Sequence, residues 1–144
     1  MTRKFFIASA VATVLGLSAV PAMANGVFIE QYGFANSAGG AQAGINNTIG
    51  VYQNGIFNGV VSQQFGNGNV AAVGQEGFNN GADTWQNGNG NQAGVGQFGS
   101  NHNSILTQDG NGNVAAGVQV GNGCDANVTQ AGGGNVAAFV QACP

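Results

Sequence analysis

Three features of the sequence predict an all-β fold: a β-solenoid of about five 22-residue strand–turn–strand rungs, stacked into two parallel sheets. Glutamine recurs every eleven residues, a glycine stands two residues after the Gln, and an asparagine usually stands six residues before it. A period this strict is typical of a stacked repeat architecture, because each unit must lie in register on its neighbour.

The three columns run through the chain without insertion or deletion. The glutamines are Gln31, Gln42, Gln53, Gln64, Gln75, Gln86, Gln97, Gln108, Gln119, Gln130 and Gln141. The glycines, which we expect at turns, are Gly33, Gly44, Gly55, Gly66, Gly77, Gly88, Gly99, Gly110, Gly121 and Gly132. The asparagines are Asn25, Asn36, Asn47, Asn58, Asn69, Asn80, Asn91, Asn113 and Asn135, with His102 and Cys124 at the two remaining positions.

The first element, residues 1–24, is predicted to be a secretory signal peptide and not part of the fold. A basic start at Arg3 and Lys4 precedes an apolar run from Phe5 to Val20, and a small-residue cleavage site ends at Ala24. The apolar run is too short for a transmembrane helix, which needs about 20 residues. The repeat domain therefore comprises residues 25–144.

Each segment from Asn to Gln is seven residues long, which is within the usual length of a strand. Alternation places its first, third, fifth and seventh residues on one face. In one unit these are Asn69, Ala71, Val73 and Gln75, so the inner face is a thin apolar strip between Asn and Gln. The predicted strands lie near residues 25–31, 36–42, 47–53, 58–64, 69–75, 80–86, 91–97, 102–108, 113–119, 124–130 and 135–141.

The four residues between strands are expected to form turns, since glycine supplies the positive φ that a tight turn needs. Several alternate turns carry a second glycine, as in the segment Phe65–Gly68. This alternation predicts that two units make one rung. The rungs then lie about 4.7 Å apart. A Gln or Asn above its own copy can donate and accept hydrogen bonds along the stack, so the amide columns set the register.

Charge excludes several classes of function. Arg3 and Lys4 are the only cationic side chains, and both lie in the predicted signal peptide. Nucleic-acid binding needs Lys or Arg to neutralise phosphate, and docking on anionic lipid has the same requirement. We expect neither a nucleic-acid partner nor membrane insertion.

No pattern predicts an enzyme, a cofactor or a metal site. Asp83, Asp109 and Asp125 lie in different segments and form no acid–base pair. A metal site needs several converging ligands, whereas the neighbours of His102 on its column are amides. We expect His102 to replace Asn as a hydrogen-bonding group.

The two cysteines fall at the C-terminal end of the repeat. Cys124 occupies an Asn position, and Cys143 occupies a turn position equivalent to Gly121 one rung below. Both therefore lie near one corner of the last turn, and an exported compartment permits a disulfide. Our hypothesis is a Cys124–Cys143 disulfide that holds the C-terminal strand; two free thiols are the alternative.

Four segments share the pattern Q-x-G-x-G-N-x-A-x3-Q: Gln64–Gln75, Gln86–Gln97, Gln108–Gln119 and Gln130–Gln141. On this pattern the chain resembles the curlins, the subunits of bacterial curli amyloid fibres, whose hallmark is S-x5-Q-x-G-x-G-N-x-A-x3-Q. The resemblance implies an extracellular, self-assembling amyloid that serves the biofilm matrix and adhesion. It also implies a nucleator subunit, periplasmic chaperones and the outer-membrane secretion channel of a Gram-negative bacterium as partners.

Two departures from the family pattern bear on the role of the subunit. The Ser position is filled by Asn36, Asn58, Asn80, His102 and Cys124, and no Gly-rich leader stands between the signal site and the first repeat. The terminal repeats nevertheless stay regular, and the last one is not cationic. These features favour the major subunit over the nucleator.

The expected function is templated polymerisation. Each end of a solenoid presents an unpaired strand edge, to which a second molecule can add its first rung. The minor or nucleator subunit is one alternative. An ice-binding solenoid is another, but it needs a regular outward array of threonine, and Thr48, Thr107 and Thr129 do not line up.

Overall fold

The computed structural model describes residues 25–144, so the predicted signal peptide, residues 1–24, lies outside the described residues. Within these described residues, eleven strands follow one another. They are β1 (Gly26–Phe34), β2 (Ser37–Ile45), β3 (Thr48–Ile56), β4 (Gly59–Asn67), β5 (Val70–Phe78), β6 (Gly81–Asn87), β7 (Gln92–Ser100), β8 (Asn103–Asn111), β9 (Val114–Asn122), β10 (Asp125–Gly133) and β11 (Val136–Cys143).

Successive strands alternate between two sheets. One sheet has six strands in the order β1-β3-β5-β7-β9-β11, and the other has five in the order β10-β8-β6-β4-β2. All pairing is parallel and in register, so that Gln53 lies opposite Gln75 and Gly55 opposite Gly77. Since two strands complete one turn of the chain, this arrangement confirms the predicted β-solenoid with a rung of 22 residues, the spacing of Gln53 and Gln75.

The strands begin and end later than the sequence predicts. Most contain nine residues instead of seven, and β5 runs from Val70, just after the Asn, to Phe78, three residues beyond the Gln. The glycine two residues after the Gln therefore stays within the paired strand, except for Gly88, because β6 ends at Asn87. The chain bends at two sites of positive φ, as at Gly77 (φ 132°) and Asn79 (φ 54°).

The two bends differ in what they require of the sequence. A Cβ on Gly77 would overlap the backbone carbonyl of Gly99 in the next rung, so the close approach of rungs excludes a side chain there. At the second bend, a Cβ on Gly68 would meet nothing within 4 Å. Larger residues are accordingly found at the second bend, including Phe57 and Asn101, although their φ is positive.

The core is a narrow apolar strip between the sheets. Its buried members are small or aliphatic: Ile49, Val51, Val60, Ala71, Val73, Ala82, Ala93, Val95, Leu106 and Ala115. Buried Asn and Gln columns flank this strip, as the alternation predicts. The first strand stands apart, because all nine residues of β1 are exposed.

The outer faces of the two sheets carry different chemistry. The six-stranded sheet exposes Val70, Val118, Val136 and Val140. The five-stranded sheet exposes more polar groups, and Asn103 donates to the Asp125 carboxylate there (3.0 Å), but it also exposes Val61, Trp85 and Ile105. The flank formed by the six-stranded sheet is therefore the more apolar of the two.

Candidate functional site: the amide columns and the solenoid ends

The glutamine side chains form two continuous hydrogen-bonded columns. Nε2 of Gln53 donates to Oε1 of Gln75 (2.8 Å), and Nε2 of Gln75 donates to Oε1 of Gln97 (2.7 Å). The same bond joins every successive pair, along Gln31, Gln53, Gln75, Gln97, Gln119 and Gln141 in one sheet, and along Gln42, Gln64, Gln86, Gln108 and Gln130 in the other. From Gln53 to Gln119 these side chains are fully buried.

Each glutamine column has a fixed direction. Nε2 of Gln75 also donates to the backbone carbonyl of Gly59 in the opposite sheet (3.0 Å), and Nε2 of Gln86 donates likewise to Val70 (2.9 Å). Because a carbonyl oxygen only accepts, this second bond determines which amide atom is nitrogen. The N–H groups of the columns therefore point towards the C-terminal end, and the oxygens accept from the N-terminal side.

The asparagine column bonds differently from the expectation that each Asn pairs with its own copy. Oδ1 of Asn69 accepts the backbone N–H of Asn91 (3.0 Å), while its Nδ2 donates to the backbone carbonyl of Gly88 (2.9 Å). Among the described asparagines of this column, only Asn135 and Asn113 pair directly through their side chains (3.0 Å). The asparagines thus satisfy backbone groups that the bends leave free, and they tie each turn to the glycine column.

His102 takes the role of an asparagine, as its position suggests. Its Nδ1 accepts the backbone N–H of Cys124 (3.1 Å), as an Asn oxygen would. Its Nε2 lies 3.2 Å from the carbonyl of Phe98, which places the ring hydrogen on Nε2. Within residues 25–144 no group of three or more His, Cys, Asp or Glu side chains converges as a metal site.

A disulfide joins Cys124 to Cys143, with their Cα atoms 5.6 Å apart. The bond spans 19 residues, the same separation as the side-chain bond from Asn113 to the Gly132 carbonyl. Cys143 lies opposite Gly121 of the preceding rung. The disulfide is therefore a covalent replacement for the tie between an Asn and the glycine column, and it holds the end of β11 against the start of β10.

The two ends of the solenoid present complementary groups. Within residues 25–144, the side-chain oxygens of Gln31 and Gln42 receive no donor. At the other end, Gln130 and Gln141 each donate one N–H to a backbone carbonyl (both 3.0 Å), and the second N–H has no acceptor in the described chain. The edge strands β1, β2, β10 and β11 each have a neighbour on one side only.

One buried side-chain atom of the described residues lacks a hydrogen-bond partner, the hydroxyl of Ser104. The hydroxyls of Ser62 and Thr84 are also buried, but they bond to each other at 2.8 Å. Ser62 and Thr84 stand one rung apart at the same inner position, whereas Ser104 is stacked on Ala82 and Ala126. No sequence pattern predicts the bond between Ser62 and Thr84 or the unpartnered hydroxyl of Ser104.

Amide-bonded rungs with two open ends define a class of protein, the repeat solenoid whose edges can accept further strands. Sequence comparison then gives the family: the model of the curlin associated repeat matches residues 23–55, 79–110 and 105–132, more than half of the chain. The chain therefore belongs to the curlin family. Among curated proteins no sequence match was found.

Family membership and fold together fit a structural protein of the curli amyloid type. Family membership also agrees with an extracellular fibre subunit. In the part of the chain that is described, no helix has the length and hydropathy to cross a membrane.

Proposed function

We propose that the chain is a secreted structural subunit that self-assembles by end-to-end templated stacking into extracellular curli-type fibres of a biofilm matrix, where it serves adhesion. The complementarity of the two ends carries this proposal. Free amide N–H groups of Gln130 and Gln141 face outward at one end, and free amide oxygens of Gln31 and Gln42 face outward at the other. Head-to-tail contact satisfies both sets, whereas contact between like ends opposes donor to donor or acceptor to acceptor.

Burial favours the same association. In β1 the inner residues Val27 and Ile29 are 50% and 40% exposed, although their counterparts Ile49 and Val51 in the next rung are 0% and 5% exposed. Stacking on another molecule would bury β1 as the inner strands are buried. Each buried amide that gains a partner avoids a cost of about 1–3 kcal/mol. Assembly therefore stabilises the folded state of the subunit.

The subunit role that we propose is the major fibre subunit and not the nucleator. Support comes from the last repeat, which stays regular: Gln119 donates to Gln141 (2.9 Å) and Asn113 donates to the Gly132 carbonyl (2.9 Å). We further propose that residues 1–24 are removed after Ala24 during export. The expected partners are a nucleator subunit, periplasmic chaperones and an outer-membrane channel, and the Cys124–Cys143 disulfide would form in the oxidising compartment.

The experiment is seeded assembly of the exported protein, followed by thioflavin fluorescence and fibre diffraction. We expect a lag phase that preformed seeds abolish, fibres in the electron microscope, and a reflection near 4.7 Å along the fibre axis. A soluble protein that forms no fibres and shows thermal hysteresis would instead support the ice-binding alternative.

A pair of neighbouring glutamines provides a matched control. Gln64 is fully buried in a column and bonds to Gln86, whereas Gln63 is on the outer face of the same strand. Gln64→Leu leaves the partners on both sides unsatisfied, at a cost of about 1–3 kcal/mol for each buried group. We expect Gln64→Leu to suppress fibre formation and Gln63→Leu to leave it near the wild-type rate; equal rates for the two variants would contradict the role of the columns.

A further inference from the structure

We propose that successive molecules in the fibre are related by a half-turn about the solenoid axis. In this arrangement β1 of each copy pairs with β10 of the preceding copy, and β2 pairs with β11. The partner is a second copy of this chain. The inference rests on the proposed end-to-end assembly and specifies the interface through which it occurs.

The inference rests on the odd number of strands, which leaves the two sheets unequal. The chain climbs one rung for every two strands, so with eleven strands β11 stands half a rung beyond β10. At the opposite end, β1 stands half a rung below β2. A copy that is rotated by a half-turn fits both steps, because β1 fills the place next to β10 and β2 then covers β11.

An unrotated copy does not fit both steps. If its β1 is placed on β11, so that the six-stranded sheets are continuous, its β2 lies two rungs above β10. One strand position in the five-stranded sheet then stays empty. If its β2 is instead placed on β10, its β1 occupies the space of β11.

The repeat is compatible with rotation because both sheets use the same bonds. Gln53 and Gln64 lie in different sheets, yet each donates to a backbone carbonyl 16 residues earlier at 3.0 Å. Asn58 and Asn69 each donate to a glycine carbonyl 19 residues later. The molecule therefore repeats its own inner bonding after a half-turn and half a rung, and a rotated copy continues it.

The amide columns favour the rotated arrangement. The half-turn places Gln31 of the new copy over Gln130 and its Gln42 over Gln141, so both columns continue. The unrotated arrangement joins only Gln31 to Gln141. Gln130 and Gln42 then face the empty strand position without partners, and the backbone edges of β10 and β2 also stay unpaired.

The rotated arrangement loses one hydrogen bond because of the disulfide. Asn25 of the new copy lies over Cys124, whose sulfur is bonded to Cys143 and replaces the amide oxygen that Asn would offer. One backbone hydrogen bond is lost at that point. Asn36 still meets the Oδ1 of Asn135, and the loss of one bond is small against a whole paired strand and a second amide column.

The outer residues agree with the half-turn. Glu30 of the new copy lies beside the hydroxyl of Thr129, whereas in the unrotated arrangement it lies beside the isopropyl group of Val140. On the fibre surface, the flank formed by the six-stranded sheet therefore changes sides at each molecule, after eleven half-rungs or about 26 Å. The fibre then has an axial repeat of two molecules, about 52 Å.

Paired cysteines test the arrangement. Glu30→Cys with Thr129→Cys brings two thiols onto adjacent strands only after a half-turn, and Glu30→Cys with Val140→Cys does so only without rotation. Adjacent strands lie about 4.8 Å apart, within the Cα separation of a disulfide. Each full-length variant is expressed and exported, assembled, oxidised, dissolved in formic acid and run on a non-reducing gel, with Glu30→Cys alone as the control. Peptide mapping identifies the bonded pairs.

We expect covalent multimers from the Thr129 pair and only monomers from the Val140 pair. Multimers from the Val140 pair, or from neither pair although fibres form, would overturn the half-turn while leaving fibre assembly intact. Imaging of wild-type fibres decides the question should the variants fail to assemble. A two-fold screw with a repeat of about 52 Å supports the inference, and a one-molecule repeat of about 28 Å overturns it. Absence of wild-type fibres would instead contradict the proposed function.

Discussion

The two ends of the solenoid are made from the same repeat but differ in how firmly they are held. At the N-terminal end, Gln31 and the whole of β1 are exposed. At the C-terminal end, Gln130 is only 6% exposed, and the Cys124–Cys143 disulfide binds β11 to the adjoining corner. A strand edge that is already ordered loses less conformational entropy on docking. We propose from this comparison that the C-terminal end acts as the template on which β1 and β2 of an incoming copy dock.

The composition of the first two strands supports this difference. In β2 the inner position that holds Ser62 in β4 is Gly40, and the sequence Ser37–Ile45 is rich in glycine and alanine. Glycine loses more backbone entropy on folding than other residues. The second strand is therefore a weak one in the isolated molecule, and it depends on neighbours on both sides.

The largest expected effect comes from the glycine column at the template end. Gly132 has positive φ (98°), and a Cβ there meets only Nδ2 of Asn135, at 3.8 Å. One rung earlier, a Cβ on Gly110 would overlap the Gly132 carbonyl. Gly132→Ala therefore obstructs the carbonyl of an incoming Gly33, a misfit of about 1–3 kcal/mol that slows seeded elongation roughly 10- to 100-fold.

Gly133→Ala is the matched control for this substitution. Its φ is not positive, and a Cβ there lies 3.4 Å from the Asn111 carbonyl oxygen, an ordinary contact. We expect near wild-type elongation from Gly133→Ala. Added in small amounts to wild-type protein, Gly132→Ala should also stop growing ends, since it can dock but cannot be extended. Elongation of Gly132→Ala at the wild-type rate would show that the C-terminal end is not the template.

The second prediction removes the disulfide. A bond that closes a loop of this length contributes about 3 kcal/mol, so Cys124→Ser with Cys143→Ser should lower the protection of β11 amides from hydrogen exchange by roughly 100-fold. Elongation should slow as the template edge frays. The pair Cys124→Asn with Cys143→Gly restores the tie found at Asn113 and Gly132, and we expect intermediate protection from it. Unchanged exchange in both double variants would mean that β11 is held by stacking alone.

The period of eleven residues was sufficient to predict the rung, the inner face and the corner shared by Cys124 and Cys143. It could not distinguish the two amide types. Asn is one methylene shorter than Gln, so it reaches the backbone of the next rung and not its own copy, as Asn69 shows. The predicted strand ends are also wrong. A glycine such as Gly77 normally indicates a turn, yet here it stays paired at positive φ. The bonding of Ser62 and the isolation of Ser104 depend on which residue lies one rung away.

The smallest predicted effect concerns the middle of the molecule and provides a reference for both ends. Ser104→Ala removes the one unpartnered buried hydroxyl of the described residues and should raise the free energy of unfolding by about 1 kcal/mol. Ser62→Ala breaks the bond to Thr84 and should lower it by a similar amount. Urea unfolding of fresh monomer, followed by the fluorescence of the single tryptophan, Trp85, measures both changes. If contacts at the two ends limit the elongation rate, neither variant should alter elongation from wild-type seeds. An elongation rate that rises with Ser104→Ala and falls with Ser62→Ala would mean instead that folding of the whole subunit limits growth.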